Sequence, residues 1–121
     1  MIYITIDGDD IGQMITSSYL KNDIDELSRI NHLVNNKTTL IADFLKKQGF
    51  SIIFCAADGV AGYIESDEIN EMLIFQSIKD IANPELTFSA GLGSTLQESY
   101  IALISAKSNG KRCLHKFSDL N

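Results

Sequence analysis

The sequence has few cysteines, no basic tract and no long apolar run, and each shortage argues against a class of protein. Cys55 and Cys113 stand apart, with no CxxC spacing and no nearby histidine. We therefore interpret both as structural, and expect neither a metal site with cysteine ligands nor a catalytic cysteine–histidine pair. Ten basic against 16 acidic residues give a net charge of -6, which argues against a groove for long nucleic acid. No apolar stretch approaches about 18 residues and no leader-like segment is evident, so we expect a cytoplasmic protein.

The remaining composition describes one folded domain. With 121 residues, of which 45% are hydrophobic, the chain is long enough to bury a core and too short for two domains. We therefore expect a single domain over residues 1–121.

The most informative stretch begins as an alternating apolar run and ends in three carboxylates. The alternation from Ile2 to Ile6 predicts a strand. Asp7, Asp9 and Asp10 then crowd within a few positions, and they repel one another unless a cation or hydrogen-bond donors offset the charge. This pattern favours a divalent metal site, although Asp9 or Asp10 capping the next helix is an alternative explanation of the same residues.

The periodicity further along the chain predicts a ferredoxin-like fold. After the first strand and its short helix, a long helix is predicted from Asp23 to Gly49. A hairpin, a helix beginning at Ser66 and ending before Pro84, a strand, a helix beginning at Thr95 and a last strand follow. The order β-α-β-β-α-β followed by α-β predicts an α+β, ferredoxin-like or RRM-like domain, with an antiparallel-dominated sheet and helices on one face.

This topology predicts that two distant acids meet. A right-handed crossover makes the first two strands parallel, which places the hairpin after the second strand at the Asp7 end of the sheet. A third strand beside the first would then begin at Asp58. We expect Asp7, Asp58 and the Gly8 carbonyl to form an oxygen set of the kind that magnesium prefers.

Two further features favour phosphate binding near these acids. Main-chain amides of Asp10 and Ile11, at the start of a helix, are suited to hold a triphosphate. Lys107 and Lys111 lie on either side of the Gly110 turn and would neutralise phosphate charge. Lysines favoured at a helix C-terminus by the backbone dipole are an equally good explanation of that pair.

Taken together, these segments resemble the palm-type nucleotide cyclases. The segments are Ile-Asp-Gly-Asp-Asp-Ile-Gly on the first strand, Cys-Ala-Ala-Asp-Gly-Val on the hairpin, Ser-Ala-Gly-Leu-Gly on a later strand, and Ala-Lys-Ser-Asn-Gly-Lys-Arg after it. The group includes GGDEF diguanylate cyclases and the polymerase subunit of type III CRISPR complexes. A free-standing domain of this length is most similar to the minimal CRISPR polymerase family.

The resemblance implies a palm fold and a nucleotidyltransferase that makes a cyclic di- or oligonucleotide signal from nucleoside triphosphates in antiphage defence. Its CRISPR side favours ATP as the substrate. It implies Mg²⁺ or Mn²⁺ held by Asp7, Gly8 and Asp58, with both acids catalytic. Substrate-binding roles fall on Asp9, Asp10, Ile11, Lys107 and Lys111. Because one small palm holds one metal-phosphate cradle, we expect a homodimer, and a separate effector protein is expected to read the product.

The hairpin departs from the family pattern. Relatives carry Gly-Gly-Asp-Asp or Gly-Gly-Asp-Glu, whereas this chain has Ala56-Ala57-Asp58-Gly59, which adds two methyl groups and removes the last acid. Alanine costs little there if φ stays negative, and Asp9 or Asp10 would have to replace the missing carboxylate.

Two other functions are compatible with parts of the pattern. A catalytically inactive palm module would bind nucleotides without turning them over. A response-regulator receiver domain has a similar length, an acidic pair after its first strand, and a distal acid and lysine. The return of the chain as a strand after Val60 fits a receiver less well.

Overall fold

The computed structural model describes residues 1–120, which form a five-stranded sheet and four α-helices. The first element, β1 (Ile2–Gly8), is the central strand of the sheet. It is followed by α1 (Ile11–Leu20) and α2 (Ile24–Lys47). The remaining elements are β2 (Ser51–Ala56), β3 (Gly59–Ile64), α3 (Glu71–Ala82), β4 (Phe88–Gly93), α4 (Leu96–Ser108) and β5 (Leu114–Lys116).

The sheet has the order β2-β3-β1-β4-β5 and is mixed. The central strand β1 pairs antiparallel with both β3 and β4, β2 pairs antiparallel with β3, and only β4 and β5 are parallel within the described sheet. The predicted α+β fold and the insertion of β3 between β1 and β2 are confirmed. The receiver-domain alternative is wrong, because a receiver has a doubly wound parallel sheet.

One face of the sheet carries the core. Ile4 and Ile6 of β1 are fully buried and cluster with Ile41 of α2 and Ile78 of α3. Alternation along β1 sends these isoleucines to the same face, and each buried isoleucine contributes about 1.5–3 kcal/mol relative to exposure. The expectation of helices on one face therefore holds for α2 and α3.

The prediction that all helices lie on one face of the sheet is wrong for α4, which lies on the opposite face. Thr5, which alternates with Ile4 and Ile6, hydrogen-bonds Ser99 of α4 with Oγ1 and Oγ 2.7 Å apart. The close approach depends on Gly91 of β4, where an added Cβ would lie 2.2 Å from the main chain of α4. Helix α4 packs on β1, β4 and β5, and the outer face of β2 stays exposed.

The ends of the helices follow their capping residues. Asp23 and Thr95 accept hydrogen bonds from the amides three residues on, as their sequence patterns predict. Helix α3 begins later than predicted. Ser66 makes a local turn with Glu68, whereas Asn70 caps the helix by accepting from the amide of Leu73.

Neither cysteine forms a disulfide in the part of the chain that the structure describes. Cys55 is exposed and Cys113 is partly buried. Over residues 1–120, no helix combines the length and the apolarity that crossing a membrane requires.

Candidate active site

The acids at the end of β1 and in the β2–β3 hairpin lie side by side. Asp7 is paired with Gly59 across the two strands, and the Gly8 amide donates to the Asp58 carbonyl at 2.9 Å. Burial raises the pKa of Asp7, and the neighbouring charge of Asp58 raises it further, while Lys107 opposes both. The predicted meeting of Asp7 and Asp58 is present, and their mutual repulsion favours a bound cation.

The backbone around these acids is strained. Among residues 1–120, five non-glycine residues have positive φ, and four of them surround the site: Asp10, Ala57, Lys111 and Arg112. Ala57 has φ of 51°, so the condition under which alanine would cost little in this turn is not met. A left-handed non-glycine residue costs about 1–2 kcal/mol, and such strain is concentrated at functional sites in many proteins.

Asp9 has a different environment from Asp7. Its side chain is 1% exposed and accepts four hydrogen bonds, from Thr87 Oγ1 (2.9 Å), Ser89 Oγ (2.7 Å), Lys107 Nζ (3.0 Å) and the Arg112 amide (3.1 Å). Burial alone would raise the pKa of Asp9, but the hydrogen bonds from Ser89, Lys107 and Thr87 hold it below its ordinary value. The predicted substrate-binding residue is thus enclosed, and its oxygens are already engaged by the protein.

Lys107 reaches from α4 to the same cluster. Its Nζ donates to the Gly8 carbonyl at 2.7 Å and lies 3.3 Å from Asp7 Oδ2. The carbonyl that the sequence suggested as a metal ligand therefore accepts from an ammonium group. Lys107 supplies a positive charge where Asp7, Gly8 and Asp58 concentrate negative charge.

The donor set fits a hard cation only in part. Within residues 1–120, no group of three or more His, Cys, Asp and Glu side chains is placed to hold a metal. Asp7, Asp58 and the Gly8 carbonyl still offer two carboxylates and a main-chain oxygen. That number is typical of protein magnesium sites, which complete their shell with water and substrate phosphates.

The start of α1 has no side-chain cap. Neither expected aspartate caps it, because Asp10 is left-handed, makes no side-chain hydrogen bond to the helix, and pairs with Lys111. The first amides of a helix have no partner within the helix, so the turn beginning at Ile11 retains donors. Lys107 and Lys111, predicted to bind phosphates, both contact the segment that follows β1: Lys107 binds Asp9 and Lys111 binds Asp10.

Two grooves flank the acid pair, and sequence reasoning missed both. The first, which we call the α1–α2 groove, encloses about 740 Å³ between the two helices and ends at Asp58. Its rim carries the exposed polar side chains Ser28, Asn31 and Asn35. Their spacing places them on one face of α2, which was a signal available in the sequence.

The second groove, which we call the β3–α4 groove, encloses about 920 Å³ on the other face of the sheet. Asp7 and Lys107 line it together, and most of the other lining residues are apolar residues of β2, β3 and α4. Those side chains follow ordinary strand and helix periodicity, so the sequence indicates core packing instead of a groove.

Comparisons with known proteins place this geometry in a family. A family model described as the minimal CRISPR polymerase domain matches residues 3–117. A comparison with curated proteins finds no match.

Solved structures share the fold at low sequence identity. The active GGEEF domain of a diguanylate cyclase from Vibrio cholerae aligns with a TM-score of 0.72 and 12% identity, over 96% of this chain and 81% of that one. The GGDEF domain of DgcB from Caulobacter crescentus, in complex with c-di-GMP, gives 0.69 and 9%, over 98% and 78%. An EAL/GGDEF domain protein from M. capsulatus gives 0.69 and 20%, over 96% and 83%.

Proposed function

The chain belongs to the minimal CRISPR polymerase family, and on that premise we propose that it is a metal-dependent nucleotidyltransferase. It joins nucleoside triphosphates, with ATP preferred, into a cyclic di- or oligonucleotide that signals in antiphage defence. The observation that carries this proposal is the proximity of Asp7 and Asp58 beside an uncapped helix start and two lysines. The palm fold, shared with diguanylate cyclase domains, supports it.

Asp7, Asp58 and the Gly8 carbonyl would hold Mg²⁺ or Mn²⁺. When bound, the ion neutralises phosphate charge and lowers the pKa of the attacking hydroxyl. Burial and the neighbouring Asp58 together raise the pKa of Asp7, and a cation bound between the two carboxylates would relieve their repulsion.

The chain's own groups bind and orient the phosphates. The first turn of α1 presents amides at Ile11, and Lys107 and Lys111 can exchange carboxylate partners for phosphate oxygens. In each transfer, a ribose hydroxyl oxygen of the acceptor bonds to the α-phosphorus of the donor. The bond from that phosphorus to the bridging oxygen breaks, pyrophosphate leaves with the electron pair, and the hydroxyl proton passes to solvent.

The α1–α2 groove is the place for the donor's base. It adjoins Asp58, its walls are apolar, and its rim carries Ser28, Asn31 and Asn35, which match the hydrogen-bonding edge of a base. Ring closure requires two nucleotides with opposed phosphates, so a homodimer is part of the proposal, as is a separate effector that reads the product.

The experiment is an incubation of purified protein with magnesium and the four nucleoside triphosphates. Pyrophosphate release and a cyclic product seen by mass spectrometry are expected. Asp7→Asn and Asp58→Asn should each abolish both, while Asp43→Asn, an exposed acid on α2, serves as the matched control. Turnover that survives in the Asp7 and Asp58 variants would refute this metal centre.

A second candidate is a nucleotide-binding module without catalysis. It is favoured by one observation, the ammonium group of Lys107 on the Gly8 carbonyl at 2.7 Å. Calorimetric binding of ATP with no pyrophosphate release, in either magnesium or manganese, would support this candidate.

A further inference from the structure

The two faces of the sheet are covered unequally. On the core face, α2 packs on β2 and β3 while α3 packs on β4, so helices lie over both halves of the sheet. On the opposite face, α4 packs mainly on β1, β4 and β5, which leaves the other half open as the β3–α4 groove. Neighbouring strands lie about 4.8 Å apart, so β2 is about 10 Å from β1, and this distance is the width of one α-helix.

The floor of the groove permits a helix to approach closely. Gly59 and Ala61 of β3 face this side of the sheet, because they pair with Asp7 and Thr5 of β1. Under α4, the sheet carries Gly91, whose missing side chain permits the close contact between strand and helix. The open half therefore has the same feature, a strand with small residues, that the covered half uses to hold α4.

The side of α4 that faces away from its own sheet is apolar as well. Tyr100 and Ile104 are 55% and 48% exposed, and Leu96 and Ile101 are exposed with them. The exposed residues of α2, in contrast, are mostly polar or charged. A helix that is apolar both toward its sheet and away from it is suited to burial between two layers.

The charge distribution permits a second copy to bind on this surface. The chain has a net charge of -6, so two copies repel each other wherever their acids meet. The segment 50–57, which contains β2, has no charged residue. Among the described residues that line the groove, only Asp7 and Lys107 are charged, and their charged groups lie 3.3 Å apart. A second copy can therefore approach this face without opposing acids.

We propose that the β3–α4 groove holds helix α4 of a second copy, in a homodimer whose two-fold axis runs parallel to the strands and between the two α4 helices. The groove and α4 lie side by side on one chain. The symmetry that inserts one α4 into the partner's groove therefore inserts the partner's α4 into this one, as an isologous interface requires. A foreign protein in the groove would leave the exposed side of α4 uncovered.

This arrangement rests on the proposed function and specifies the dimer that it requires. An axis parallel to the strands places both Asp7–Asp58 pairs at the same end of the dimer. Helix α4 ends at Ser108, one residue after Lys107, so the shared helix layer stops at the level of the acids and leaves them open. Each nucleotide keeps its base in the α1–α2 groove of the copy that binds its phosphates, and the two nucleotides meet across the axis.

The test is sedimentation equilibrium of the purified chain without nucleotide, which we expect to show a dimer. The arrangement places Ile104 of one copy against the partner's Phe54. Ile104→Glu and Phe54→Lys should each raise the Kd of the dimer by about 100-fold or more, because each places a charge in both halves of an apolar interface. Met72→Glu, at a residue 84% exposed on α3, is the matched control and should leave the Kd unchanged.

A mixture of the two interface variants tests the contact itself. In a mixed dimer of Ile104→Glu with Phe54→Lys, the introduced carboxylate of one copy meets the introduced ammonium group of the other, and the second half of the interface is unaltered. Mixing should therefore lower the Kd by about tenfold or more relative to either variant alone. A mixture that stays monomeric would show that this contact is not made and would overturn the arrangement.

A dilution series of the wild-type chain keeps the test valid if a variant fails to fold. Methyl NMR signals of Ile53 and Ile104 should shift on dilution, while that of Ile24, 76% exposed on α2, should not. A chain that is monomeric at every concentration, or a dimer that shifts Ile24 and not Ile104, contradicts the inference. So does a response of Ile104 to added ATP but not to dilution, because the occupant of the groove would then be a nucleotide.

Oligomeric state and turnover are measured separately, so the two proposals can fail separately. If the interface variants dissociate the dimer as expected but the wild type never releases pyrophosphate, nucleotidyl transfer fails and the interface stands. If a cyclic product forms but neither variant changes the Kd of the dimer, the proposed function stands and this interface is wrong.

Discussion

Asp7 and Asp9 are two positions apart at the same strand end, yet they have opposite environments. The Asp7 side chain is 38% exposed and lies beside a second acid, and burial together with that acid raises its pKa. The Asp9 side chain is 1% exposed, and hydrogen bonds from Ser89, Lys107 and Thr87 hold its pKa low against the effect of burial. The comparison teaches that one strand end can hold two acids in different states: Asp7 stays partly exposed beside a like charge, whereas Asp9 is enclosed by hydrogen-bond donors.

Lys107 is the link between the two environments. Its ammonium group donates to Asp9 Oδ1 at 3.0 Å and to the Gly8 carbonyl at 2.7 Å. Asp9 therefore holds in place the same ammonium group that lies 3.3 Å from Asp7. Substituting each acid separately should therefore have opposite effects on stability.

Asp7→Asn should nearly eliminate turnover and at the same time stabilise the fold at neutral pH. Loss of a metal carboxylate is expected to lower kcat by about 1,000-fold or more, since the ion supplies several kcal/mol to the transition state. Removing one of two repelling acids should raise Tm. Pyrophosphate release and thermal denaturation measure the two effects, and a lower Tm would refute the claim that Asp7 is held in repulsion.

Asp9→Asn should weaken both the fold and the activity. An amide placed among four donors leaves at least one of them facing another donor, which costs about 1–3 kcal/mol. Turnover should fall by about 10–100-fold, as for other residues that hold a reactive group in place. Urea denaturation and initial rates check this against Asp43→Asn, and unchanged stability would show that the four hydrogen bonds matter little.

The pH dependence of stability should have opposite signs for the two acids. Because the folded pKa of Asp7 is raised above 3.8, its favourable contribution is present at lower pH and is lost as pH rises through the folded pKa. Because the folded pKa of Asp9 is lowered, its contribution is present above 3.8 and is lost as pH falls through the folded value. Denaturation of both asparagine variants at pH 7 and at pH 3.8 tests this: at the lower pH, Asp7→Asn should approach the wild type.

Ala57→Gly should have the smallest effect, a gain in stability of about 1 kcal/mol, since glycine adopts the observed positive φ without steric cost. Ala56→Gly at the end of β2 is the matched control and should be neutral or destabilising. A loss of stability in Ala57→Gly would mean that the methyl group makes a favourable contact that exceeds the backbone strain.

The parts of the site that topology controls were predictable. Alternation along β1, a right-handed crossover and a hairpin are enough to bring Asp7 next to Asp58, and the turn after α4 brings its lysines to the same edge. These inferences depend on local periodicity and on rules of strand connection, both of which the sequence carries.

The environment of each residue was less predictable. The burial of Asp9 depends on Thr87, Ser89 and Arg112, which are distant along the chain and have no pattern that links them to it. The left-handed Ala57 reflects a turn imposed by the pairing of β2 with β3. The β3–α4 groove arises because α4 covers only part of its face, which depends on packing and not on periodicity.

Gly91 lies under α4 and touches neither acid, yet it helps to determine how far Lys107 extends. Any side chain at this position would push the helix off the sheet, since a Cβ would fall 2.2 Å from its main chain. The helix carries Lys107 near its end, so such a displacement would lift the ammonium group away from Asp7 and the Gly8 carbonyl. A position with no functional group can therefore change the geometry of the candidate site from a distance, without a change in any residue that lines it.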